Sequence, residues 1–112
     1  MTAFGGPATR LRVRLGLALQ RAATAHARHA IRVILNQSAA GLTRVRISAG
    51  GHVIAQSVVP VFGSGPRTLP VELTYHGAAL LRSHRNVRVQ ITAAARDLLA
   101  GPGSATASGT LR

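Results

Sequence analysis

Apolar and polar residues alternate with period two in successive short segments of this chain, as in strands with one face buried. Leu11, Val13 and Leu15 share one parity with Leu17 and Leu19, while Arg10, Arg12 and Arg14 share the other. Ile31, Val33 and Leu35 repeat the pattern around an outward Arg32. From Leu42 to Ser48, Thr43, Val45 and Ile47 face one way and Arg44, Arg46 and Ser48 the other. Gly50-Gly51 follows at once, and His52–Val59 is strand-like again. A glycine pair supplies the two positive φ angles of a tight primed turn, so a hairpin is predicted here. Pro60 breaks the second strand of that hairpin or places it at a sheet edge. Pro70 argues for an edge or a strand start in the next segment, where Leu69, Val71 and Leu73 face inward and Glu72 outward. The cleanest alternation is Val87, Val89, Ile91 and Ala93, with Arg88, Gln90 and Thr92 outside. Ser104–Leu111 supplies a last, weakly apolar strand.

Two segments lack this period. Ala22–Ala30 is rich in Ala, His and Arg and reads as a helical turn or a loop. Thr74–Arg85 reads as a short helix with Thr74 as N-cap; Leu80 and Leu81 pack it against the end of the sandwich, and Gly77 limits its stability. Asn36–Gly41, Gly63–Pro66 and Asp97–Gly103 are loops or turns. The sum is an all-β, immunoglobulin-like sandwich of about seven strands with one short helical segment near residues 74–85, since turn signals recur roughly every 8–12 residues. Met1–Thr9, with Gly5-Gly6-Pro7, is expected to be a flexible leader, and residues 10–112 a single domain.

Composition narrows this picture. A chain of 112 residues supports one core, and with Phe4, Phe62 and Tyr75 as its only aromatics that core must be made of Val, Ile, Leu and Ala. Cysteine is absent, which removes disulfides, thiolate metal sites and thiol nucleophiles. No apolar run approaches the ~20 residues of a membrane-spanning helix. Leu15–Leu19, after Arg10, Arg12 and Arg14, is shorter than the ~7–15 apolar residues of a signal-peptide core, and reads as strand. Charge changes the picture most: fourteen Arg and no Lys face only Glu72 and Asp97, for a net charge of +12. Such a surplus attracts polyanions, although Arg without Lys beside abundant Ala and Gly is also what GC-rich coding produces.

The order of these segments, and RTLPVELTYHGAALLRSHRNVRVQITAAARD from Arg67 to Asp97 in particular, resembles Arg-rich immunoglobulin-like or fibronectin-III-like modules of high-GC actinobacterial surface proteins. The matching positions are Leu73-Thr74, Gly77, Leu80-Leu81-Arg82, Arg85, Val87 and Ala95-Arg96-Asp97, and Leu19–Val33 is similar to the lead-in of such modules. The Cys pair that these modules often carry between residues 36 and 40 is missing, and Leu98–Pro102 stands where they have Gly-Asn. The resemblance implies a sandwich fold, a place in a secreted or cell-envelope multidomain protein beside neighbouring domains, and a non-catalytic spacer or adhesion role without a cofactor.

Candidate chemistry is sparse. Glu72 and Asp97 are the only possible carboxylate pair, one on a strand's outer face and the other in a turn. Ser83, His84 and Asp97 form a triad on paper only, without a nucleophile-elbow context. His26 and His29, at i,i+3, would share one side of a helical turn and could face a metal ion, but exposed loop histidines are the default and no metal site is assigned; His52, His76 and His84 are scattered. The remaining candidate is a basic plate of Arg10, Arg12, Arg14, Arg32, Arg44, Arg46 and Arg88, which would form if their strands were neighbours in one sheet. It would take phosphates or sulfates of nucleic acid, acidic polysaccharide or anionic lipid without reading sequence. The competing reading is a solvated face whose Arg stems cover apolar strand edges.

Overall fold

The chain runs β1 (Val13–Leu17), α1 (Ala22–Arg28), β2 (Ala30–Gln37), β3 (Gly41–Ala49), β4 (His52–Val61), β5 (Gly65–Glu72), α2 (Tyr75–Ser83), β6 (Val87–Asp97) and β7 (Gly101–Leu111). The computed structural model describes residues 13–37, 41–62, 65–84, 86–97 and 101–112. The strands form two antiparallel sheets, β1-β2-β5 and β4-β3-β6-β7, an all-β sandwich. Its fourth strand pairs with the third, so the four-stranded layer holds strands 3, 4, 6 and 7; an immunoglobulin constant domain puts strand 4 in the other layer.

The period-two pattern becomes the core. Ile31, Val33 and Leu35 of β2 face Val45 and Ile47 of β3 and Val89, Ile91 and Ala93 of β6, and all are buried. Removing one Ile or Val side chain of this kind from water is worth about 1.5–3 kcal/mol. Among the described residues the core contains no aromatic ring: Phe62 and Tyr75 are exposed. Gly50 and Gly51 both adopt positive φ (58° and 83°) and join Ala49 to its cross-strand partner His52, the predicted hairpin. A bulge between Ile47 and Ser48 adjusts the register beside that turn.

The helices close one end of the sandwich. Residues 22–30, expected as helical turn or loop, contain α1, whose Ala22 and Ala25 are buried. Its seven residues are too few for helical periodicity to stand out in the sequence. The Ala22 N–H donates to the carbonyl of Arg112 at 2.6 Å, and His29, at φ 55°, ends the helix in the left-handed conformation. Thr74 caps α2 as expected: its hydroxyl accepts from the Gly77 N–H at 3.0 Å and donates to the Val53 carbonyl at 3.1 Å. Gly77 has a further reason to be glycine, because a Cβ there would collide with the backbone carbonyl of Ile54.

Several boundaries differ from the sequence expectation, four of them informatively. β4 continues through Pro60 to Val61, and β5 starts at Gly65 and includes Pro66; both are edge strands, where a missing N–H costs no ladder bond. β6 runs on to Asp97, which pairs with Gly101, so the expected turn from Asp97 to Gly103 is mostly strand. Gln37, read as loop, ends β2 fully buried. The Thr43 hydroxyl of β3 donates to Gln37 Oε1 at 2.6 Å, a polar tie between the two sheets. The expected leader over residues 1–9, Arg10, Arg12 and Arg85 lie outside the described residues.

Candidate anion-binding groove

The sandwich separates the arginines that the alternation had aligned. Arg14 of β1 and Arg32 of β2 belong to the three-stranded sheet, whereas Arg44 and Arg46 of β3 and Arg88 of β6 point out from the four-stranded one. The single basic plate is therefore not formed by the described arginines: strands 1 and 3 have the right parity but lie in different layers. Arg32 is half-buried, and its Nε is shielded from water without a hydrogen bond to a described residue. Its stem acts as cover for the sheet. Beside it, the side chain of Gln20 extends the β1–β2 ladder, accepting from the Arg32 N–H at 2.9 Å and donating to the Arg32 carbonyl at 2.7 Å.

On the other layer a basic cluster is assembled. Arg44 and Arg46 stand opposite Val58 and Gln56 of the edge strand β4. At one end β4 is fastened to the chain around β5: Ala55 bridges Leu73, the Thr74 N–H donates to the Ile54 carbonyl at 2.9 Å, and the Glu72 N–H donates to Ser57 Oγ at 3.0 Å. Between β4 and β5 lies an open groove of about 1150 Å³. Arg44 and Arg46 line it from β3, Arg28 and His29 from the end of α1, Gln56 and Ser57 from β4, and Pro70 and Glu72 from β5. The His29 carbonyl holds the end of α1 in place by accepting from the Leu73 N–H at 3.0 Å. Three guanidinium groups thus share a concave surface with one carboxylate, and no ion pair among the described residues ties Glu72 to them. Their donors remain available to an oxyanion, which Arg binds in a planar, two-pronged fashion.

Two members of the basic surface were not among the sequence candidates. Arg96 lies opposite Leu42 on the same outer face as Arg88, and its parity with Arg88 was a readable signal. Arg28 had none, since its position depends on how α1 docks.

The other constellations are placed as follows. Ser83 Oγ and His84 Nδ1 are 3.0 Å apart at the exposed end of α2, and His84 Nδ1 also contacts the Leu80 carbonyl at 3.2 Å. β6 starts just after α2, and Asp97 is its last residue, so the triad on paper is spread along a strand of roughly 33 Å. Glu72 lies against Ser57, whose neighbours across the sheet are Val45 and then Ala93. Asp97 is a further four residues along β6, so the two acids do not form a pair. His26 and His29 have ring centroids 6.2 Å apart. His52 and His76 are closer, at 4.9 Å, and line a shallow depression with His84, so these three are not scattered. Among the described residues no group of three or more His, Asp or Glu is placed to hold a metal ion, and no described helix is long and apolar enough to cross a membrane. Compared with protein-family models, curated proteins and solved structures, the chain matches none.

Proposed function

We propose that this chain is a non-catalytic interaction module that binds polyanions through the groove between β4 and β5. The observation that carries this reading is the convergence of Arg28, Arg44 and Arg46 from two separate elements on one groove with a single acidic residue. A solvated Arg face would spread its charges apart to lower their repulsion, whereas a site for phosphate or sulfate groups concentrates them. Among the described residues the exposed aromatics, Phe62 and Tyr75, do not line this groove, which favours recognition of backbone charge over recognition of bases. The resemblance to Arg-rich immunoglobulin-like and fibronectin-III-like modules supports a spacer or adhesion role beside neighbouring domains, in a secreted or cell-envelope protein.

The test is binding to heparin and to mixed-sequence duplex DNA, measured between 50 and 300 mM salt. The unmodified chain binds with an affinity that falls steeply with salt. Replacing Arg28, Arg44 and Arg46 together by Ser reduces the DNA salt slope by about 2 to 3, because each phosphate left without its guanidinium lowers the slope by roughly 0.9. A control that removes equal charge elsewhere, Arg14→Ser with Arg21→Ser and Arg112→Ser, keeps most of the slope. Equal losses in both variants would mean that net charge binds and the groove does not, and no binding by the unmodified chain at 50 mM salt would end the polyanion reading.

A further inference from the structure

A sheet edge is a row of unpaired backbone donors and acceptors, and folded proteins normally blunt it with proline, charge, a bulge, shortness or a covering segment. Of the four edge strands among the described residues, three follow that rule. β5 carries Pro66, Pro70 and Glu72 within eight residues. β4 carries Pro60, lies across from the Ile47/Ser48 bulge, and is covered at one end by the Ala55–Leu73 bridge and the Thr74–Ile54 bond. β1 is described over five residues, carries Arg14, and ends in the side-chain ladder of Gln20.

Among the described residues β7 carries no comparable device after Pro102, although β1 runs close to its inner side. β7 is eleven residues long, GPGSATASGTL, with no charged residue and no proline after Pro102. Its register with β6 is unbroken from Asp97↔Gly101 to Val87↔Leu111, so no bulge twists the edge away. Among the described residues β6 is its only hydrogen-bonded strand neighbour. β1 approaches it from the inside of the sandwich, where Leu17 packs over Gly109. Toward solvent β7 presents Ser104, Thr106, Ser108 and Thr110, all exposed, and between them lie only Ala105, Ala107 and Gly109.

We infer that β7 is a self-association edge: it pairs antiparallel with β7 of a second copy of this chain, joining two four-stranded sheets into one of eight. Charge selects the occupant. Two chains of +12 repel each other over most of their surface; the two uncharged strands of the four-stranded sheet are its edges. Of these, β4 is interrupted by Pro60 and lined by Arg44 and Arg46 of β3, whereas β7 is regular and lies next to no charged strand face but that of β6. A second β7 brings no charge to the seam, and its hydroxyl row meets an identical row, a favourable cross-strand match. The guanidinium groups of β6, Arg88 and Arg96, would be held three strand spacings from those of the other copy, about 14 Å. That exceeds the screening length of about 8 Å at physiological ionic strength. A two-fold axis normal to the sheet leaves both outer faces on the same side, so Arg44 and Arg46 of both copies share one surface. Self-association of this kind does not depend on polyanion binding, and its salt dependence has the opposite sign.

Sedimentation velocity of the full chain, from 5 to 500 µM and at 50 and 500 mM salt, tests it. The expected result is a monomer–dimer equilibrium that strengthens with salt, as repulsion between the copies is screened. Thr106→Lys with Ser108→Lys puts four like charges at the seam and weakens dimerisation at least tenfold, while circular dichroism and the thermal midpoint of the monomer stay unchanged. Thr68→Lys on the outer face of β5 leaves dimerisation intact. A chain that stays monomeric at 500 µM in high salt would overturn the inference. So would association that ignores the β7 lysines, or that Thr68→Lys disrupts equally. If the double lysine variant loses structure, Thr106→Lys alone is read in the same way.

Discussion

On the flank where β4 and β5 meet, the edges are guarded and the surface between them is charged: Pro60, Pro66 and Pro70 remove donors, and Arg28, Arg44 and Arg46 converge on the groove. On the opposite flank β7 is long, regular and uncharged. On the proposed reading one flank discourages other strands and attracts anions, while the other, among the described residues, leaves its outer ladder without a hydrogen-bonded strand. The contrast extends to packing. Around the groove, backbone meets backbone, as where Gly77 touches the Ile54 carbonyl. Under β7, small residues meet the flexible tip of Leu17. Two flanks of one sandwich can therefore differ in rigidity as well as in charge, and substitutions of equal size should separate them.

The largest effect is expected from Gly77→Ala. The added methyl would occupy the position of the Ile54 carbonyl, and a backbone group cannot rotate aside as a side chain can. Overpacking of this kind costs about 1–3 kcal/mol, and here the upper part of that range is expected because α2 must shift bodily. Urea unfolding measures the loss. The same variant should also weaken polyanion binding, because α2 and the Thr74 cap hold the closed end of the groove. A stability change below about 0.5 kcal/mol would show that α2 is loosely docked and that the groove flank is not the rigid one.

The strands and their inward faces were legible in the sequence because period two is a local signal. Val45, Ile47, Val89 and Ile91 are buried where the alternation put them, and Gly50-Gly51 forms its turn. Two of the boundaries that moved lie at edge prolines, where strand propensity argues against what the edge position tolerates. Those at Gln37 and Asp97 lie on central strands, where polar residues that read as loop are held by strand pairing or by burial. The candidate site was legible only in part. Parity identified Arg44 and Arg46 as outward, but parity does not say which sheet a strand joins, and so Arg14 and Arg32 were grouped with residues on the far layer. Arg28 reaches the groove through the docking of a seven-residue helix, and its i,i+3 alanines carry too little pattern to announce that contact.

A smaller effect is expected where the two layers are tied by a polar contact. Thr43→Val keeps shape and removes the hydroxyl that donates to Gln37 Oε1, leaving a fully buried amide oxygen short of one partner. That costs about 1–3 kcal/mol, and the lower half of the range is expected because Gln37 has a further interaction. The loss should fall on stability alone, with dimerisation through β7 and the salt slope of polyanion binding both unchanged, since Thr43 faces the interior between the flanks. Wild-type stability in Thr43→Val would mean that water or a rotated Gln37 replaces the bond.

The smallest effect, and the one that most sharpens the contrast between the flanks, is expected from Gly109→Ala. A methyl at this position would sit 2.7 Å from Leu17 Cδ2 and 3.1 Å from Leu17 Cβ, tighter than ordinary contact. The groups in the way belong to one half-buried leucine at the end of β1: a rotamer change moves Cδ2 aside, and the Cβ contact needs β1 to give by only a few tenths of an ångström. Replacing glycine in a strand also lowers the entropy of the unfolded chain, a gain of about 0.4–1 kcal/mol that offsets the crowding. The two terms nearly cancel, so Gly109→Ala should unfold within about 1 kcal/mol of the parent chain. The backbone ladder of β7 is untouched by the change, so self-association should persist. A loss as large as that of Gly77→Ala would show that β1 and β7 are locked together as tightly as α2 and β4, and the bare flank would then be rigid too, differing from the groove flank in charge alone.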